Sequence, residues 1–391
     1  MSKQPTVVFD DEMYDAQFAR TLSAGNAGMA DLGECFATAH EIGKPTPQTW
    51  HDGWRSRADA VAAIADATTV PATRRSALLR ASEYYRQALF FLRHDIADAR
   101  LLDAHRRHVE TFQAALPLLD AHTEQIAVPF GTASLKGYFF APDDSGVARP
   151  TVLAPCGYDS TAEEGYAWVA AALERGYNAV SFEGPGQGAA LYIDHLTFDP
   201  DFAPVVTAVI DVLVTRPDVD ADRLVLVGLS FAGYLAPQAA TREHRLAALV
   251  CNPAQPDMAE HIPSGLAGKV AAPVVRAEMR LSADKAEFFG ARMAAHGITD
   301  VDDYFAELHR FDMTDAAGQI TCPTLILECE GDFAGGGGTA LQKVMTAPTT
   351  LIDLTVAEGA GGHCGGLGQK VWEGRVYDWL AGILTGDAAN V

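Results

Sequence analysis

Three residues able to carry acyl-transfer chemistry occur in one order along this chain: Ser230, then Asp332, then His363. A serine hydroxyl is too weak an acid to attack a carbonyl unaided. It needs an imidazole to take its proton and a carboxylate to hold that imidazole. Ser230 stands in "GLSFAG", residues 228–233, directly after the apolar run "RLVLV". A nucleophile on a sharp strand-to-helix turn needs small residues two places before and two after it, because the backbone is strained there and the helix packs close to the strand. Gly228 and Ala232 meet that need, although Ala232 replaces the commoner glycine of G-x-S-x-G. The rival reading is a small residue at an ordinary tight bend. The buried-strand pattern before Ser230 and the alanine-rich helical pattern after it favour the nucleophile.

Asp332 follows the run "TLILECEG", and His363 lies in "EGAGGHCGG" just past "TTLIDLTV". Both positions are loops at the ends of strand-like runs, with Glu330 as the rival carboxylate. A tetrahedral oxyanion needs backbone N–H donors. Phe231 would supply one, and the loop after "TVLAP" the other, at Gly157 or Tyr158. The adjoining "DSTAEEGYAW" reads as a capping box, Ser160 or Thr161 with Glu163 or Glu164, opening the next helix. Two glycine-rich stretches compete for attention. "GPGQGA" at 184–189 fits a dinucleotide fingerprint, but it contains Pro185, opens no evident helix and falls at the second turn of its kind rather than the first. "AGGGGT" lacks the Gly-Lys of a phosphate loop and reads as a flexible turn beside the acid. Cofactor and metal are therefore both expected to be absent. The six cysteines are scattered without a C-x-x-C and read as reduced core thiols, Cys364 included.

The elements that must position these residues fall into two textures. Residues 1–122 show apolar positions at three- and four-residue spacing and almost no strand signal, which predicts about five helices. Within them Tyr84, Tyr85, Phe90 and Phe91 read as core. From 123 to 391 the pattern becomes a hairpin, "EQIAVPF" and "SLKGYFFAP", followed by apolar strands alternating with helices. That alternation predicts an α/β architecture, a mostly parallel sheet with helices on both faces. Residues 254–322 are helical in pattern and too long for a simple connection, so they read as an inserted cap.

The formal net charge of −22 argues against nucleic acid or an anionic membrane surface as a partner. The N-terminal stretch carries acids where a signal peptide would be apolar, and no apolar run reaches the roughly 18 residues of a membrane span. With the reduced cysteines, this predicts a cytoplasmic protein.

The motifs "GLSFAGY", "SFEGPGQG", "CGYDSTAEE" and "EGAGGHC", with the helical front "RASEYYRQALFFL", resemble a branch of the α/β-hydrolase superfamily. That branch carries a helical N-terminal domain and includes 2,6-dihydroxypseudooxynicotine hydrolase, fungal hydrolases that shorten pigment polyketides, and fermentation–respiration switch proteins. The resemblance implies that Ser230, Asp332 and His363 form the triad, that the helical domain and the 254–322 insertion roof the site, and that the protein is a homodimer. It further implies hydrolysis of a carbon–carbon bond beside a ketone in an aromatic or polyketide-type small molecule. Glu260, with His261 beside it, falls near the place of an assisting glutamate in the nicotine-pathway enzyme. The triad does not encode the leaving group, so an esterase, thioesterase or lactone hydrolase stays open. So does a biosynthetic cyclase or lyase, or a non-catalytic binding protein that retains the fold.

Overall fold

The computed structural model describes residues 6–260, 262 and 265–385, with the side chains of 265–270 outside the description. Five α-helices form the N-terminal part: α1 (Glu12–Ala24), α2 (Leu32–Ile42), α3 (Pro47–Ala67), α4 (Pro71–Leu89) and α5 (Ala99–Ala115). Side chains fix where they begin. Asp11 accepts from the Met13 and Tyr14 N–H groups, and Thr46 forms a reciprocal capping box with Thr49 ahead of Pro47. The second half of α4 is buried on every face, including Glu83, Arg86 and Gln87. Its buried charges are paired, Arg86 with Glu83 at 2.7 Å, as an interior ion requires. Tyr84, Tyr85, Phe90 and Phe91 are all core.

Eight strands form one sheet: β1 (His122–Phe130), β2 (Ala133–Ala141), β3 (Arg149–Pro155), β4 (Asn178–Phe182), β5 (Val219–Leu229), β6 (Leu246–Asn252), β7 (Thr324–Cys329) and β8 (Thr349–Leu354). Their order is β1-β2-β4-β3-β5-β6-β7-β8. β1 and β2 are the expected hairpin and run antiparallel; every pairing from β4 to β8 is parallel. The helices between strands are α6 (Tyr166–Glu174), α7 (Gly188–Tyr192), α8 (Ala203–Leu213) and α9 (Ala232–Ala240). After the insertion come α13 (Gly338–Val344) and α14 (Gln369–Thr385). The insertion itself folds as α10 (Gly265–Leu281), α11 (Ala283–Ala295) and α12 (Val301–Leu308), with its own small core of Ala272, Met293, Val301, Tyr304 and Leu308. One larger core runs from the N-terminal helices through the sheet. No helix among the described residues is long and apolar enough to cross a membrane.

The order of the strands decides where a site can form. From β3 the chain crosses to β4 on one side and returns to β5 on the other, so β3 and β5 lie side by side at the switch of direction. In an open parallel sheet the crevice lies at the carboxyl ends of such a pair.

Two local expectations are corrected. A short helix, α7, does open within the "GPGQGA" stretch, at Gly188. The turn is filled from within: the buried Glu183 carboxylate accepts from the Ala162 and Ala189 N–H groups at 3.2 and 2.8 Å, and a Cβ at Gly188 would lie 1.9 Å from it. Half of the expected capping box forms, with Thr161 accepting from the Glu164 N–H at 3.2 Å. The two glutamates turn elsewhere, Glu164 to Arg20 and Glu163 to the Tyr138 hydroxyl, because each has a buried partner in another element.

Candidate active site

The turn from β5 into α9 carries Ser230 with φ +59°, a left-handed conformation uncommon for any residue with a side chain. Surrounding groups hold it there. The Ser230 N–H donates to the Asn252 carbonyl at 2.9 Å, and the Gln255 amide donates to the Ser230 carbonyl at 2.5 Å. Gly228 is required by contact, since a Cβ there would stand 2.1 Å from the Ala232 carbonyl oxygen. At Gly233 a Cβ would meet the Pro253 carbonyl at 1.8 Å. The bare backbone that the close approach demands is thus found at 233, and Ala232 fits fully buried beside it.

The turn brings Ser230 to two residues far along the chain. His363 Nε2 lies 2.8 Å from Ser230 Oγ, and His363 Nδ1 lies 2.7 Å from Asp332 Oδ1. Asp332 sits in the loop after β7 with its side chain wholly buried. Its Oδ1 also accepts from the Ala334 N–H and its Oδ2 from the Cys364 N–H, both at 2.9 Å. His363 comes from the loop after β8, with 29% of its side chain exposed. Burial works against the charged imidazole, but the adjoining Cys364 sulfur and the Asp332 carboxylate outweigh it and raise its pKa well above the ordinary histidine range. Glu330, the rival acid, spends a carboxylate oxygen on the Val356 N–H at 2.9 Å. Asp332, His363 and Cys364 also bring three potential metal-ligand atoms within 4.8 Å of one another. The aspartate oxygen and the ring nitrogen are already engaged with each other.

The loop after β3 lies against this turn because β3 and β5 are neighbours. A Cβ at Gly157 would be 3.4 Å from Ser230 Cβ and 3.5 Å from the Phe231 nitrogen. The Gly157 N–H itself donates to the Ser160 hydroxyl at 2.8 Å. Ser160 therefore closes this loop rather than capping a helix, and Tyr158 is left as the second donor candidate beside Phe231. The Tyr158 hydroxyl is 2.6 Å from Nε2 of His296, the residue that ends α11. Burial lowers the pKa of His296 to about 3, with the Arg292 and Arg310 charges acting the same way.

Several participants left no signal in the sequence reading. Arg93 pairs with Asp159, next to Tyr158, and its backbone N–H donates to Glu287 Oε1 at 3.0 Å. His94 Nδ1 lies 2.6 Å from Glu287 Oε2. Asp159 is held well below the usual carboxylate range by the Arg93 and Arg292 charges, against the opposing effect of burial. One network thus joins the N-terminal helices, the loop after β3 and the inserted α11. Its members are too far apart in sequence for spacing to reveal them. Asn252 and Gln255 stand in "CNPAQP" at the end of an apolar run, the one place where polar residues after β6 could have raised suspicion.

The glycine run 335–338 is a clamp rather than a flexible turn. The Gly336 and Gly338 N–H groups donate to the two Glu328 oxygens at 2.7 and 2.6 Å, and a Cβ at Gly337 would stand 2.5 Å from the Ala254 carbonyl. Glu260 is exposed in a turn at the start of the insertion; His261 beside it lies outside the described residues.

A parallel sheet with a serine on a strained strand-to-helix turn at the switch point, facing a histidine and a buried aspartate from later loops, defines a class of protein: hydrolases built on an α/β sheet. The chain belongs to the α/β-hydrolase family, whose model matches residues 151–368. It is 33% identical over 353 residues to the hydrolyase poxO of Penicillium oxalicum, an alignment covering 81% of this chain and 83% of that protein. It is 34% identical over 257 residues to the 20-hydroxy-prefusarin hydrolase FUS2 of Gibberella moniliformis, covering 63% and 61%. The solved structure of 2,6-dihydroxy-pseudo-oxynicotine hydrolase shares the fold, with a TM-score of 0.76 at 21% identity over 95% of this chain and 96% of that one. The protein is an enzyme of the hydrolase type.

Proposed function

We propose that this hydrolase works by a Ser230–His363–Asp332 triad through an acyl-enzyme and cleaves a carbon–carbon bond beside a ketone in an aromatic or polyketide-type small molecule. The observation that carries the triad is the continuous relay from Ser230 Oγ through both His363 nitrogens to Asp332. In this reading His363 takes the Ser230 proton as Oγ adds to the ketone carbonyl. The N–H groups of Phe231 and Tyr158 hold the resulting oxyanion. Collapse breaks the carbon–carbon bond, and the departing carbanion takes its proton from His363. Water, deprotonated by the same histidine, then releases the acyl group as an acid. The carbanion must be delocalised to leave, which favours a β-diketone or an acyl-phenol.

The names of the relatives support a small-molecule substrate of this class: one acts on 20-hydroxy-prefusarin, and the structural neighbour on a dihydroxylated pseudo-oxynicotine. The network of Arg93, Asp159 and Glu287 supports the helical part and the insertion as a roof over the site. The same machinery cleaves esters, thioesters and lactones, and the name hydrolyase on an aligned relative keeps a lyase reaction in view.

Product mass spectrometry on matched aryl β-diketones and aryl esters, wild type against Ser230→Ala, tests the reading. Ketone cleavage into two products that together gain one water, lost in the variant, supports it. Rapid ester hydrolysis with untouched ketones moves the assignment to an esterase. A product that has lost water favours the lyase, and equal turnover by both proteins removes the triad.

A further inference from the structure

Phe333 directly follows the aspartate that holds His363. Its ring centroid lies 4.5 Å from that of the His363 ring with the planes 31° apart, yet 64% of the residue is exposed. An aromatic ring left in water on a loop ordinarily has no reason to stay in one place. Here the loop fixes it. Asp332 accepts from the Ala334 N–H through its side chain and from the Gly335 N–H through its carbonyl at 3.2 Å, and Glu328 ties down Gly336 and Gly338. The backbone on the C-terminal side of Phe333 is thus anchored through four N–H groups, those of Ala334, Gly335, Gly336 and Gly338, and the ring keeps one side on the imidazole and the other open. Leu367, also exposed at 44%, lies four residues beyond His363 on the histidine's own loop.

The position matters because of the order of proton transfers. A carbonyl that Ser230 Oγ can reach must place its leaving group near His363 Nε2, since the same nitrogen that takes the serine proton delivers a proton to that group. A leaving group beside this imidazole edge is next to the exposed Phe333 ring, which lies tilted against the imidazole. Aromatic faces attract other planar π systems in offset or tilted stacks beyond what their buried area alone gives.

We propose that Phe333 is a specificity-determining residue whose open face stacks on a planar, conjugated leaving group of the substrate. The inference rests on the triad reading given above and adds to it the part of the substrate that is recognised. It also fits the chemistry, because the planar group that stacks is the group able to delocalise the departing charge.

The test uses the full chain and two acetates with the same acyl group, 2-naphthyl acetate and cyclohexyl acetate. It compares wild type, Phe333→Leu and Phe333→Trp, with active sites counted by fluorophosphonate labelling at Ser230. The expected result for Phe333→Leu is a fall of about tenfold in the ratio of kcat/KM for the naphthyl over the cyclohexyl ester, carried mainly by KM. Phe333→Trp is expected to restore the ratio. An unchanged ratio in Phe333→Leu, with Ser230 labelled and both esters turned over, overturns the inference and leaves the triad standing. Equal losses on both esters do the same, and assign the ring to shielding His363. Absence of Ser230 labelling in the wild type overturns the triad reading and this inference together.

Discussion

The ring of Tyr158 lies on the ring of Phe231, centroids 3.9 Å apart and planes within 24° of each other. Two turns that follow different strands are therefore fastened side chain to side chain beside Ser230. Removing the stack with Tyr158→Ala should loosen the proposed second donor and lower kcat toward the roughly 10²–10³ loss seen when an oxyanion donor is removed. Tyr158→Phe keeps the stack and gives up the hydroxyl's bonds to His296 and Tyr304, so its loss should stay below about tenfold. Steady-state kinetics on an aryl ester compare the two, and equal losses would show that the stack is not what places the donor.

The members of the proposed triad should fail unequally. Ser230→Ala should lower kcat by about 10⁶. Asp332→Asn, which keeps the shape but holds the wrong tautomer of His363, should cost about 10⁴. A near-wild-type Asp332→Asn enzyme would transfer the acid role to another carboxylate.

In the proposed mechanism His363 acts as base only when neutral, so its raised pKa moves the acid limb of the kcat/KM profile to higher pH. That limb should lie above the ordinary histidine value of 6.5. Cys364→Ala removes one of the two neighbours that favour the charged ring and should shift the limb to lower pH. A pH–rate profile of both proteins reads the shift and its sign.

Arg93 is 5% exposed and faces Asp159 and Glu287, the latter 1% exposed. Arg93→Met would take from Asp159 and Glu287 the cation they share, leaving Glu287 only His94 and Asp159 only the Arg292 and Arg20 charges, a change expected to cost up to about 3–5 kcal/mol. Adding Glu287→Gln should recover part of that loss, because the two sites share one network. Urea unfolding of the single and double variants measures both; additive losses would mean the groups do not act together.

At the turn, Gly233→Ala should abolish folded protein or Ser230 labelling, since no flexible side chain stands at the clash with the Pro253 carbonyl. Ala232→Gly should cost no more than about 1 kcal/mol, the ordinary penalty of glycine in a helix. The pair tests whether the demand for a bare backbone really sits at 233.

Much of this was legible in the residues alone, for physical reasons that differ by element. The run "RLVLVGLS" could be read because a strand buried on both faces must be continuously apolar, and the residues after it because only small side chains fit where a helix turns back onto a strand. Asp332 and His363 could be nominated because parallel strands put their following loops at one end of a sheet, whichever side chains those loops carry. The helical front was legible from its 3.6-residue period. What the sequence could not determine are matters of distance between segments with no fixed spacing. Tertiary structure alone decided that Ser160 turns onto the Gly157 N–H, that Glu330 faces Val356 while Asp332 takes the histidine, and that the glycine run is tied to Glu328 rather than free. It also decided that Arg93 reaches both a loop of the sheet and a helix of the insertion. A hydrophobic pattern records which side of an element faces inward. Which buried carboxylate meets which cation is settled only when the elements pack, because burial leaves each charge needing a partner without specifying where in the chain that partner lies.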